Sequence, residues 1–207
     1  MRMPSNGSSS WRTHLSIVAI ALLATAPAPA QAPAAELLNS ERIAAAFGSY
    51  GVEVLEQDET VRVSNLYSGT GQESTCRTFA IVRYASRIDP ALRVEHSAIV
   101  AGGSIGAVFA AGGWEVRKTH LHYGERAAPM KLAELMHVEV GTTLAEHAYV
   151  LDVVKGGRAI EYAVLLEIHH PDYLDVTELT RIYGPANGAD RGELLTTLLA
   201  TAVERWR

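Results

Sequence analysis

The feature that most constrains this chain is a pair of glycines between two long runs of mainly β-branched, aromatic and other apolar residues. Residues 145–154 and 158–169 form the two runs, and Gly156-Gly157 lies between them. Two glycines supply the positive φ angles that a two-residue hairpin turn requires. The sequence therefore predicts an antiparallel β-hairpin over this part of the chain.

A two-residue turn at the glycine pair also fixes which residues of the hairpin lie opposite one another. The core-facing pairs that it predicts are Leu151–Tyr162, Val153–Ile160 and Tyr149–Val164. The pairs of like charge that it predicts are Asp152–Glu161 and Glu146–Glu167. Opposed carboxylates destabilise a sheet unless they are solvated, protonated or neutralised by a cation.

The remainder of the domain is predicted to form further strands and short helices. Their content of β-branched and aromatic residues predicts strands at residues 52–57, 61–68, 76–85 and 114–123. Capping residues and glycine stops predict helices at residues 40–47, 89–102, 104–109, 130–136 and 175–182. The expected fold class is α+β, with an antiparallel sheet of about six strands and flanking helices.

One more helix is predicted over residues 190–206, where leucines recur at helical spacing. Its apolar stripe needs a partner surface, and the sheet of the same chain is the ordinary partner. A homodimer contact through this C-terminal helix is the alternative.

The first thirty residues are typical of a secretory signal peptide. Arg2 and Arg12 give a basic start, residues 17–24 form an apolar run, and Ala28-Pro29-Ala30 supplies small residues of the kind found before a cleavage site. The apolar run is much shorter than the roughly 20 residues that span a bilayer, so a retained anchor is the weaker alternative. We expect a periplasmic or secreted protein with no stable membrane insertion after cleavage.

Cleavage is expected before Gln31. A short tether rich in alanine and proline then covers residues 31–38, and a single α+β domain covers residues 39–207. The whole chain carries 18 basic and 23 acidic residues, a net charge of −5. Residues 1–30 contain two arginines and no acidic residue, so their removal lowers the net charge to −7.

This acidic balance argues against nucleic acid as a partner, because binding to a phosphate backbone depends on a positive field. Cys76 is the single cysteine of the chain. It excludes an intramolecular disulfide and a cysteine-based zinc site, and we expect it to be a buried small apolar residue.

Seven histidines follow residue 30, but their local spacing does not predict a metal site. His120 and His122 are two residues apart on a strand and could point the same way. His169 and His170 are adjacent and must point to opposite faces. No His-x-Glu-x-x-His motif or similar triad occurs, so the sequence predicts neither a metal nor a cofactor.

Glu167 differs from its neighbours because it interrupts the apolar run of residues 163–168. A buried carboxyl group is costly unless a cation, a hydrogen-bond donor or a proton satisfies it. Two interpretations follow. Either the strand ends there at the boundary with water, or the carboxyl group lies at the mouth of a pocket.

The order of these elements resembles chorismate pyruvate-lyase and its wider superfamily, which includes the ligand-sensing domains of some bacterial transcription regulators. The run from residues 78–83 to residues 104–109 is similar to the family's strand, helix and Pro-Leu-Gly-x-x-Leu-Phe segment. Residues 114–118 fall where the family has its next strand. Residues 167–171, Glu-Ile-His-His-Pro, are similar to the Glu-Leu-Phe-Leu-Pro that closes the family's hairpin.

The resemblance implies a pocket between the sheet and its helices, and an activity that releases pyruvate from chorismate to give 4-hydroxybenzoate. Glu167 matches the family's ligand-contacting acid, and Ile105 matches an apolar residue that packs on the ring. The family's carboxylate-binding arginine corresponds to Arg62, or alternatively to Arg77. If the chain is a lyase, Glu167 and Arg62 are the expected catalytic residues.

An export signal does not suit a substrate that is made and consumed in the cytoplasm, so fold and activity are separate questions here. The first hypothesis is an exported small-molecule-binding protein, whose chorismate-lyase-like pocket takes an aromatic or carboxylate-bearing ligand. The second is a chorismate pyruvate-lyase-type enzyme. The third is a periplasmic protein-interaction module that uses the C-terminal helix.

Overall fold

The computed structural model of the chain describes residues 37–187. Within them the helices α1 to α5 span Asn39–Phe47, Arg93–Val100, Ile105–Ala111, Met130–Met136 and Val176–Tyr183. The strands β1 to β6 span Gly51–Gln57, Val61–Ser68, Thr75–Tyr84, Glu115–Ala127, Thr143–Lys155 and Arg158–His169. The predicted signal peptide, most of the tether and the predicted helix over residues 190–206 lie outside the described residues.

The six strands form one antiparallel sheet in the order β1-β2-β3-β6-β5-β4. This arrangement confirms the predicted α+β class. Strands β3 and β6 lie at the centre and are covered on both faces. Residues 79–82 and 162–168 are therefore buried without interruption, whereas a strand exposed on one face would alternate apolar and polar residues.

The sheet separates two cores, which we call the α4 face and the site face. On the α4 face, helix α4 packs on the sheet through a cluster that includes Ile81, Val150, Leu166, Leu132 and Met136. On the site face, helices α2 and α3 pack through a cluster that includes Tyr149, Leu151, Leu165, Ile99 and Phe109. Helices α1 and α5 meet the end of the site face through Ile43 and Leu179.

The hairpin of β5 and β6 has the predicted turn but changes register partway along. Near the turn, Val153 lies opposite Ile160 and Asp152 lies opposite Glu161, as predicted. A β-bulge then leaves Tyr162 without a residue opposite it. The pairs beyond the bulge are Leu151–Ala163, Tyr149–Leu165, His147–Glu167 and Glu146–Ile168.

The predicted pairs Leu151–Tyr162, Tyr149–Val164 and Glu146–Glu167 are therefore wrong. A bulge adds one residue to one strand, which reverses the faces of all residues after it. Glu167 consequently lies opposite His147 on the site face. Glu146 directly precedes His147 on β5, and its carboxylate accepts a hydrogen bond from Nε of Arg126.

Several local predictions are confirmed by the capping contacts. Asp89 accepts a hydrogen bond from the Ala91 amide at 2.9 Å, and Asp175 accepts one from the Glu178 amide at 2.7 Å. Ser40 does not cap α1, because the helix begins one residue earlier and the Leu38 amide donates to the Glu41 carboxylate at 2.8 Å. These contacts satisfy amide groups that a helix leaves free at its start.

Cys76 is buried, as predicted, and burial raises the pKa of its thiol. A thiol in such a setting is a poor nucleophile, since the thiolate is the reactive form.

Within residues 37–187, no helix has the length and apolar character needed to cross a bilayer.

The two-core arrangement makes Leu166 a sensitive position, because its fully buried side chain lies in the centre of the sheet. We expect Leu166→Ala to lower the free energy of unfolding by about 2–5 kcal/mol through lost burial and a residual cavity. Val94→Ala is the control, since Val94 is 79% exposed and its truncation should change stability by less than about 0.5 kcal/mol. Urea denaturation of both variants measures the difference, and equal losses would contradict the described core.

Candidate ligand-binding site

A cavity lies on the site face, between the sheet and the beginnings of α1 and α3. The space in it that is open to the centres of water molecules is about 80 Å³. One water molecule requires roughly 15 Å³ by this measure, so the cavity has room for several waters or a small ligand.

The wall of the cavity is mainly apolar and carries a few polar groups. Its apolar residues are Leu38, Val52, Leu66, Val82, Ile105, Val116, Leu151 and Leu165. Its larger polar residues are Asn39, Tyr50, Arg62, Lys118, Tyr149 and Glu167. Apolar walls with a small number of converging polar groups are the usual composition of a small-molecule site.

Arg62 lies on β2 and is only 2% exposed. Its Nε donates to the Ser64 hydroxyl at 2.8 Å, and its Nη1 donates to the carbonyls of Ile99 and Gly103 at 3.0 and 2.8 Å. Both carbonyls belong to the end of α2 and the turn that follows. Within residues 37–187, none of the ion pairs includes Arg62. A buried guanidinium in this setting suits an anionic ligand.

Glu167 lies on β6 and is 4% exposed. Its Oε1 accepts hydrogen bonds from the Tyr149 hydroxyl at 3.1 Å and from the Asn39 side-chain amide at 3.2 Å. Glu167 lines the cavity and is not exposed to bulk water at the end of the strand. Asn39 also connects the start of α1 to the sheet, because the same amide donates to Thr78 at 3.2 Å.

Lys118 brings a second positive charge to the wall. It lies on β4, and its Nζ is 5.2 Å from the centre of the Tyr149 ring and 5.0 Å from that of Tyr183. Such cation–π contacts hold an ammonium group over apolar surface. The cavity thus combines two cationic side chains with one carboxyl group.

Three of the four site residues predicted from the sequence line this one cavity: Arg62, Ile105 and Glu167. Arg77 does not line it. The guanidinium of Arg77 lies 3.9 Å from the centre of the Phe47 ring, and its Nε donates to Ser68 at 2.8 Å. Of the two arginines considered from the sequence, Arg62 is the one that shares a cavity with Glu167.

The expected common direction of His120 and His122 is wrong, because a β-bulge lies between them on β4. The bulge places Tyr123, rather than His122, opposite His147 on β5. His120 instead points to the site face, where its Nδ1 is 2.8 Å from His147 Nε2.

His147 and His169 converge on Glu167. Glu167 lies directly opposite His147 across the hairpin, and His169 lies two residues further along β6 on the same face. His147 and His169 are 0% and 1% exposed. Burial lowers the pKa of His169 to about 3 and that of His147 well below its usual value, so both rings are neutral at neutral pH. We call these three residues the His147–Glu167–His169 cluster.

Sequence reasoning missed most of the other residues around Glu167, because they lie on different strands and meet only in the folded sheet. Lys118 carried a usable signal, since it alternates with Trp114 and Val116 along one side of β4. His147 and His169 could have been found only from the true register of the hairpin. Asn39 carried no signal that distinguishes it from other helix starts.

Solved structures with a similar fold include the following three chains. A transcriptional regulator of the GntR family from Enterococcus faecalis V583 has a TM-score of 0.36 and 10% identity, covering 61% of this chain and 93% of that chain. The PhnF C-terminal domain has a TM-score of 0.39 and 14% identity, covering 66% and 77%. The C-terminal domain of Yurk from Bacillus subtilis subsp. subtilis str. 168 has a TM-score of 0.36 and 14% identity, covering 61% and 90%.

No protein-family model matches the chain, and a search of curated proteins found no similar sequence. Structural similarity at TM-scores below 0.4 identifies neither a ligand nor an activity. The ligand that the site could bind must therefore be inferred from the residues that line it.

The contacts of Arg62 predict that it stabilises the fold as well as the cavity. Arg62→Met should lower the free energy of unfolding by about 2–4 kcal/mol, because the Gly103 carbonyl loses its buried side-chain donor and the Ile99 carbonyl keeps only the Gly102 amide. Arg117→Met is the matched control, since Arg117 forms only an exposed pair with Glu115 and should cost less than about 1 kcal/mol. Chemical denaturation provides the comparison; a loss no larger than the control's would show that these contacts do not hold α2 in place.

Proposed function

We propose that this chain is an exported small-molecule-binding protein whose cavity takes an aromatic or carboxylate-bearing ligand. The observation that carries the proposal is that Arg62, Ile105 and Glu167 line one mainly apolar cavity. The apolar wall suits a ring or an alkyl chain, and the charged groups suit the polar end of the same molecule.

The charges of the wall favour an anionic ligand. Arg62 and Lys118 are both cationic, and Glu167 Oε1 is already bound by Asn39 and Tyr149. The positive charge of a guanidinium attracts a carboxylate, and the low dielectric of a buried site strengthens that attraction. A carboxylate placed near Arg62 and Lys118, with the body of the ligand along Ile105 and Leu165, uses these groups together.

The proposal includes export because residues 1–30 have the basic start, apolar run and small residues of a signal peptide. Expression of the full chain in a Gram-negative host should deliver the protein to the periplasm. N-terminal sequencing of that protein should then begin at Gln31. A product that keeps its first thirty residues and stays with the membrane would instead indicate an anchor.

Binding can be measured with 4-hydroxybenzoate and a panel of related hydroxybenzoates as probes. We expect a bound probe at 100 times its dissociation constant to stabilise the fold by about 2.7 kcal/mol in thermal unfolding. Lys118→Met should weaken binding by roughly tenfold, or about 1.4 kcal/mol, because one of the two positive charges is lost. Titration calorimetry gives the affinity directly.

Lys131→Met is the matched control, since Lys131 is an exposed lysine on α4 beneath the opposite face of the sheet. It should leave probe binding unchanged. Absence of binding for every carboxylate in the panel, or equal weakening in both lysine variants, would refute an anion site at this cavity.

A lyase is the second candidate, and it is favoured by the same placement of Arg62 and Glu167 in one cavity. Incubation of the purified protein with chorismate, followed by a coupled pyruvate assay, separates turnover from binding. Pyruvate release that disappears in Glu167→Gln would support the enzyme. Probe binding without pyruvate release would support a binding protein.

A further inference from the structure

Two buried ring nitrogens in the His147–Glu167–His169 cluster have no hydrogen-bond partner among the described residues. They are Nδ1 of His147 and Nε2 of His169. Both belong to side chains that are at least 99% buried. Buried polar atoms are nearly always hydrogen-bonded, so two orphaned nitrogens in one place require an explanation.

Both nitrogens lie at the same distance from one carboxylate oxygen. Glu167 Oε2 lies 3.9 Å from His147 Nδ1 and 3.9 Å from His169 Nε2. A separation of 3.9 Å is too long for a hydrogen bond. A tetrahedral ion with bonds of about 2.1 Å separates its donors by roughly 3.4 Å, so binding draws each nitrogen and the carboxylate oxygen together by about 0.5 Å.

The other ring nitrogen of each histidine, which we call the outer nitrogen, already has a polar neighbour, as in metal sites. His147 Nε2 lies 2.8 Å from His120 Nδ1, and His169 Nδ1 lies 3.0 Å from the Thr78 hydroxyl. If the inner nitrogens carry lone pairs, each outer nitrogen carries a proton and donates it to His120 or Thr78. Such second contacts fix the orientation and tautomer of a metal-binding imidazole.

We propose that His147 Nδ1, His169 Nε2 and Glu167 Oε2 bind one divalent transition-metal ion, with Zn²⁺ as the preferred ion. Two imidazoles and one carboxylate are a known ligand set for zinc when a further coordination position stays open. The same donors also occur in non-haem iron sites, so Fe²⁺ is the competing ion. The proposal does not depend on the proposed function, since it rests on the two orphaned nitrogens and their distances to Glu167 Oε2 and not on an organic ligand in the cavity.

Lys118 supplies an opposing charge. It lines the same cavity as Glu167, and its positive charge repels a metal ion bound by that carboxylate. Lys118→Met should therefore tighten metal binding severalfold. That direction is opposite to its expected effect on a carboxylate probe, so the two proposals can fail separately.

The experiment uses tag-free protein that has been stripped with a chelator and dialysed, in the absence of any organic ligand. Titration with Zn²⁺ should show one ion bound per chain and a higher unfolding temperature. Co²⁺ should give the visible absorption of a site with nitrogen and oxygen ligands. Glu167→Gln and His169→Gln should each weaken binding at least tenfold.

His137→Asn is the control, because His137 is exposed on the far side of the sheet at the end of α4 and its backbone has a positive φ that asparagine tolerates. It should keep the affinity of the unaltered protein. Circular dichroism of each variant establishes that it is folded. If a cluster variant does not fold, the Zn²⁺ stoichiometry of the unaltered chain and the direction of the Lys118→Met effect decide the matter.

The proposal is overturned if the unaltered protein binds no Zn²⁺, Co²⁺ or Fe²⁺ under these conditions. It is equally overturned if folded Glu167→Gln and His169→Gln variants bind the ion as tightly as His137→Asn does. Probe binding by chelator-treated protein that takes up no metal would remove the metal site while leaving the proposed function intact.

Discussion

The site depends on one extra residue in β6. If alternation ran unbroken from Ile160, Glu167 and His169 would lie on the α4 face, among apolar side chains that cannot satisfy them. The bulge at Tyr162 reverses the faces and brings both residues to the site face. The aromatic ring of Tyr162 anchors the bulge, because it packs edge to face with Phe109 at 4.7 Å and its hydroxyl lies 3.0 Å from His96 Nδ1.

Arg62 links the packing of the helices to the shape of the cavity. Its guanidinium holds the end of α2 and the turn before α3 through two carbonyls, while Ile105 at the start of α3 lines the same cavity. A substitution of Arg62 is therefore expected to alter both the charge of the cavity and the positions of α2 and α3. The stability of the fold and the binding of a ligand therefore cannot be separated at Arg62. For this reason, the effect of charge on binding is better tested at Lys118.

The local elements could be predicted from the sequence because their causes are local. Asp89 and Pro90 begin a helical turn, and Gly156-Gly157 forms the hairpin turn with positive φ angles at both glycines. The bulge at Tyr162 could not be predicted, since no local signal marks it and the Tyr162 ring packs against Phe109, which is distant in the sequence. The histidine pair depends on that bulge, so local spacing alone led to the expectation of no metal site.

The two oxygens of Glu167 connect the cavity and the histidines. Oε1 accepts from Asn39 and Tyr149, while Oε2 lies between His147 and His169. Asn39 in turn accepts a hydrogen bond from Tyr173 at 2.5 Å, which joins the start of α1 to the segment before α5. Glu167, Asn39 and Tyr173 therefore connect β6, the start of α1 and the segment before α5 through one series of hydrogen bonds.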